Sequence, residues 1–144
     1  MKTFQFRLER VLAWRRAQTR LAEVKLEALH AELAGIAAHV QELARERDAA
    51  GRELLASGSA TGLELALLDS FRKAADAEAA RLEIARADCR RRLDEQMQAV
   101  TERRRDVKLL ERLKERRLDK WQLDYAREIE RDAIEAHLMR WSNV

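Results

Sequence analysis

Three histidines (His30, His39 and His137), one cysteine (Cys89) and a large complement of carboxylates are the side chains here with the means to do acid–base or metal chemistry. Their spacing argues against it. A zinc site needs three or four converging ligands, and the histidines share no ligand spacing with one another or with Cys89. No Gly-rich phosphate loop, CxxC pair or HExxH segment is present. Carboxylates spread along a charged helical surface stay ionised and have no raised pKa with which to act as acids. The residues predict no enzyme, no metal and no cofactor. Cys89 falls on an apolar face, where a free thiol acts as a small core residue.

Charge carries more information. The formal net charge is only +3, with 29 basic and 26 acidic residues. Residues 1–20 hold six basic residues against one acid, Glu9, and residues 101–120 hold nine against five. Lys108, Arg112, Arg116 and Lys120 form an i, i+4 row, and like charges so placed oppose each other on a free helix. The row is either kept for a partner or neutralised as a solvated ladder by Glu111, Glu115 and Asp119, which lie three residues on from the first three bases.

Three of the seven aromatic residues, Trp121, Tyr125 and Trp141, lie in the predicted tail. Trp121, Tyr125 and Ile129 share one helix face, followed by Ile134, Leu138, Met139 and Trp141. Phe71 and Leu67 form a smaller apolar pair. Trp14 stands one turn after Arg10, a spacing that allows a local cation–π contact.

The elements that position these groups are helices. The 144 residues include no proline and four glycines, so the turns that a sheet fold requires are missing. The composition is that of a long helix or coiled coil. Ser57-Gly58-Ser59-Ala60-Thr61-Gly62 is the one breaker, with Ser59 or Thr61 placed to cap the second helix. Before it, Ala22, Leu26, Leu29, Leu33, Ile36, Val40 and Leu43 recur at alternating steps of 4 and 3, a heptad seam. Arg47 interrupts the seam and Ala50 and Leu54 resume it. Upstream, Phe4, Leu8, Val11 and Leu12 continue an apolar face. After the breaker the face runs through Leu68, Phe71, Ala75, Ala79, Leu82, Cys89, Leu93, Met97, Val100, Val107, Leu110, Leu118, Trp121, Tyr125 and Ile129.

This pattern predicts an all-α fold: helix 4–56, loop 57–62 and helix 63–140, packed as an antiparallel coiled-coil hairpin over residues 1–144. Residue i then faces about residue 119 − i, and Phe4 lies beside Glu115. The longer second helix ends in an unpaired C-terminal tail that leaves Trp121 and Tyr125 uncovered. The antiparallel pairing sets residues 1–20 beside 101–120 and predicts one basic end of net charge +9. Such a field steers an acidic partner. No apolar run reaches the roughly 18 residues of a membrane span, and the start of the chain has no signal-peptide pattern. A reducing, cytoplasmic setting is expected from the single cysteine.

The opening Phe4-Gln5-Phe6-Arg7-Leu8-Glu9-Arg10-Val11-Leu12, followed by Arg15-Arg16, resembles the start of the FliJ family. Leu109-Leu110-Glu111-Arg112-Leu113-Lys114-Glu115-Arg116-Arg117-Leu118 and Trp121 extend the likeness over nearly the whole chain. The resemblance implies a stalk-like coiled coil of the flagellar type III protein export apparatus. It implies docking in the ring of the flagellar export ATPase hexamer, promotion of its assembly and activity, contact with the cytoplasmic domain of the export gate, and handling of export chaperones. It implies a cytoplasmic protein held at the inner membrane of the flagellar base through its partners alone, with no small-molecule substrate. Arg7, Arg10, Arg15, Arg16, Arg116 and Arg117 match the family's motif positions and are the expected ATPase contacts, with Trp121 and Tyr125 beside them. Phe71 and Leu67 are the candidates for the gate, since no aromatic stands near Arg45 and Ala49. The alternative class is a generic coiled-coil scaffold or a basic-patch nucleic-acid binder, whose affinity would fall steeply with salt and make little use of Trp121.

Overall fold

The computed structural model describes residues 2–143. Two helices, α1 (Glu9–Ala56) and α2 (Gly62–Ser142), make up almost all of it, and they pack against each other as a helical hairpin. No strand occurs among the described residues. The connection is built as its residues dictate. Gly58 closes α1 at φ +71°, a left-handed conformation that suits glycine. Thr61 then caps α2: its Oγ1 accepts from the Glu64 N–H at 3.2 Å, while Glu64 Oε2 accepts from the Thr61 N–H at 3.1 Å. This is a reciprocal capping box, and it satisfies two backbone donors at the helix start.

The chain divides into two compact units, one of residues up to Leu21 with those from Thr101 onward, the other Ala22–Val100. In the Ala22–Val100 unit the predicted seam is the buried one. Ala22, Ala75, Cys89, Leu93 and Val100 are buried, and Leu26, Leu29, Leu33, Ile36, Val40 and Leu43 are half-buried. The Cys89 thiol points at the Leu29 carbonyl at 3.6 Å and Gln96 Nε2 donates to the Ala22 carbonyl at 2.9 Å. These partners sit within one residue of the 119 − i register. Gln96 occupies the seam position that spacing assigned to Met97, which is 48% exposed. Its amide serves there because it reaches a main-chain acceptor that no apolar side chain can satisfy. Arg47 leaves the seam and pairs with Asp76. Arg92 joins Glu32 at 2.7 Å to Asp88 at 3.1 Å. The hydrogen bond from Arg91, with help from Arg92, holds the Asp88 carboxyl below its ordinary pKa.

The hairpin pairing has a direct check. A Leu29→Cys substitution places a second thiol against native Cys89. Mild oxidation is expected to give a fast-migrating monomer with one intrachain disulfide. Crosslinked dimers alone would show instead that the two helix segments belong to different chains.

In the other unit, α1 begins at Glu9 and not at residue 4. Residues 2–6 lie outside any helix or strand, and the Glu9 N–H bonds to the Phe6 carbonyl at the turn into the helix. Phe6 and Leu12 are buried, Leu12 completely. Val11, expected on the packed face, is 43% exposed. The inward positions after Leu12 are Arg15 and Thr19, at the same 3- and 4-residue steps that lead to Ala22. Thr19 Oγ1 donates to the Arg15 carbonyl at 2.9 Å, so its hydroxyl is satisfied inside the helix and its methyl is free to pack. Arg15 lays its stem along the interface and carries its charge out to Asp106 at 3.4 Å.

A basic stem and an aromatic clasp as candidate site

The candidate residues of the first unit are held by two devices. The first is the stem. Three cations are tied by acids across the helix pair: Lys114 to Glu9 at 2.8 Å, Arg16 to Glu111 at 3.0 Å and Arg15 to Asp106 at 3.4 Å. Arg103 Nη1 donates to the Gln18 amide at 3.4 Å. Glu111 is therefore spent on α1, and the solvated ladder along α2 does not form. Lys108, Arg112, Arg116 and Lys120 make no ion pair among the described residues. The same holds for Arg7 and Arg10, both exposed. Arg117 lies over the Phe6 ring at 5.8 Å. Arg15, not Arg10, approaches the Trp14 ring, at 5.3 Å.

The candidate arginines thus fall into two kinds. Arg15 and Arg16 hold the helices together, and their side chains are 40% and 47% exposed. Arg7, Arg10 and Arg116 are exposed and make no hydrogen bond or ion pair among the described residues, while Arg117 stands apart over Phe6.

The second device corrects the expectation that Trp121 lies uncovered. Its indole Nε1 donates to the Lys2 carbonyl at 3.1 Å, and its ring meets Phe4 with centroids 6.2 Å apart. Tyr125 stacks on the same indole at 5.3 Å, nearly parallel. An extended strand rises about 3.3 Å per residue and a helix 1.5 Å. Residues 2–6 are not helical and so advance by more than a helix's rise per residue, which carries Phe4 to Trp121 instead of Glu115. The missed signal is the short apolar alternation Phe4-Gln5-Phe6, a period of two that does not suit a helix start. The uncovered part of α2 starts later: residues 129–143 are all exposed, including Ile129, Ile134, Leu138 and Trp141.

Trp121→Ala is therefore expected to act on the free chain. Removing the half-buried ring strips Phe4 of its partner and the Lys2 carbonyl of its donor. The expected loss is about 1–3 kcal/mol of local stability. It is read as faster proteolytic trimming and faster amide exchange at residues 3–8, with the Ala22–Val100 unit unchanged.

In the Ala22–Val100 unit, Leu67 is 61% and Phe71 39% exposed, with Leu63 and Leu65 also open to solvent. His30, His39 and His137 are exposed. No group of three metal-binding side chains occurs among the described residues, and none of their helices is long and apolar enough to cross a membrane. Comparison with protein-family models, curated protein sequences and solved structures finds no match to the chain.

Proposed function

We propose that this protein is a FliJ-like component of the flagellar export apparatus, docking through its basic stem in the ring of the export ATPase and promoting that ring's assembly and activity. One observation carries the reading. Six cations of the stem region, Arg7, Arg10, Lys108, Arg112, Arg116 and Lys120, make no ion pair among the described residues, on a helix pair across which three other cations are paired with acids. Unneutralised charge on a rigid support steers and orients an acidic partner. The motif from Phe4 to Leu12 and that from Leu109 to Leu118 supply most of these cations, and they are the segments that resemble the family.

In this reading the exposed Leu67 and Phe71 serve the export gate's cytoplasmic domain, export chaperones are further partners, and the protein meets the inner membrane only through them. Chemistry belongs to the ATPase, and the chain supplies binding energy and position. Sedimentation of the cognate flagellar export ATPase, alone and with equimolar chain, tests the assignment. A shift of the ATPase from monomer to hexamer is expected. An ATPase that stays monomeric with the chain in excess would remove the assignment.

A further inference from the structure

The clasp that holds Trp121 leaves an open cleft of about 750 Å³ between residues 2–7 and α2. Its walls carry Lys2, Arg7, Arg117 and Lys120, and its floor carries Phe4 and Trp121. Asp124, the single carboxylate on the wall, has Arg127 at 3.9 Å. Lys2, Arg7 and Lys120 have no ion-pair partner among the described residues.

We infer that this cleft binds an acidic peptide segment bearing an aromatic or aliphatic side chain, supplied by a protein partner. The inference rests on the docking reading above and names the chemistry of the surface that meets the stem. Charge complementarity selects the acid: four cations surround a space with one already engaged carboxylate. The floor selects the apolar side chain. Tyr125 stacks on the indole of Trp121 and Phe4 tilts against it, so one face of the ring is closed to a stacking nucleic-acid base. The backbone selects an extended peptide. Residues 3–5 belong to no helix or strand and make no hydrogen bond among the described residues, which leaves main-chain groups able to pair with a second strand.

The test uses the full chain with Trp14→Phe and Trp141→Phe, so that Trp121 is its one tryptophan. The probe is a blocked octapeptide of Glu and Asp with a central Phe. A saturable change in Trp121 emission is expected. Arg7→Glu with Lys120→Glu should weaken it at least about tenfold, since hydrogen bonds to charged groups are strong. Replacing the probe's Phe by Ala should weaken it about tenfold as well. Neither Arg7 nor Lys120 makes a contact the fold needs, and circular dichroism confirms that the variant remains helical. The inference is overturned by the absence of a saturable change. It is also overturned if the Phe-free peptide or a thymidine oligonucleotide binds as tightly, since the cleft then reads negative charge alone. Peptide binding by a chain that leaves the export ATPase monomeric would sink the docking assignment and keep the cleft. Hexamer promotion by a chain that ignores the peptide would do the reverse.

Discussion

Leu12→Ala is expected to destabilise the unit formed by the first 21 residues and those from Thr101 by about 2–5 kcal/mol, the range for deleting a fully buried leucine where the site relaxes incompletely. Leu12 has no exposed surface, and with Phe6 it is one of the two large side chains buried in this unit. Its flanks cannot fill the gap. Arg15 is committed to Asp106 and Thr19 to the Arg15 carbonyl. The neighbouring Val11, 43% exposed, provides the control. Val11→Ala should change stability by under about 1 kcal/mol. Amide exchange of residues 9–20 distinguishes the two substitutions, because a whole-chain melt also averages over Ala22–Val100. Equal effects would mean that α1 is rotated from the orientation described.

The extent to which the fold could be read from the sequence differs between the units. Between Ala22 and Leu43 every inward position is apolar and the steps never slip, so periodicity alone identifies the buried face. The Ser57–Gly62 breaker is equally plain, since Gly58 and the Thr61–Glu64 box leave the backbone few other options. Near the N-terminus the pattern fails for a physical reason. Arg15 and Thr19 pack with their aliphatic parts and export or satisfy their polar ends, and a search for apolar letters passes over them; the same happens once in the Ala22–Val100 unit, at Gln96. Met97 is then chosen in error as the apolar neighbour of Gln96, and Val11 is added to a face on which its neighbour Leu12 is the buried residue. The clasp at Trp121 is hidden when the repeat is continued one turn too far, through residues whose non-helical course shifts the register.

The candidate site divides in the same way. Local counting reveals the surplus of cations, but the choice of which cations stay free is a tertiary matter. Glu9, Asp106 and Glu111 each select one base from several within reach, and α1 approaches α2 so that Lys114, Arg15 and Arg16 are taken. A docking test aimed at Arg15 and Arg16 would confuse binding with folding, because Glu at these positions faces Asp106 and Glu111 and breaks the pairs that hold the helices.

The second large effect is therefore expected from the free cations. Reversing Arg7, Arg10, Arg112 and Arg116 to Glu replaces four exposed charges that no described acid contacts. Stability of the free chain should change little, since exposed charges away from partners contribute weakly. Association with an acidic docking surface should suffer twice, through lost steering and through repulsion once in contact.

Stimulation of the cognate flagellar export ATPase, titrated with the chain and with this fourfold variant at physiological salt, tests the docking claim most directly. The variant is expected to remain helical and to require about 100-fold more protein for half-maximal stimulation, or never to reach it. Half-maximal stimulation by the folded variant within about twofold of the unaltered chain would contradict docking through the basic stem.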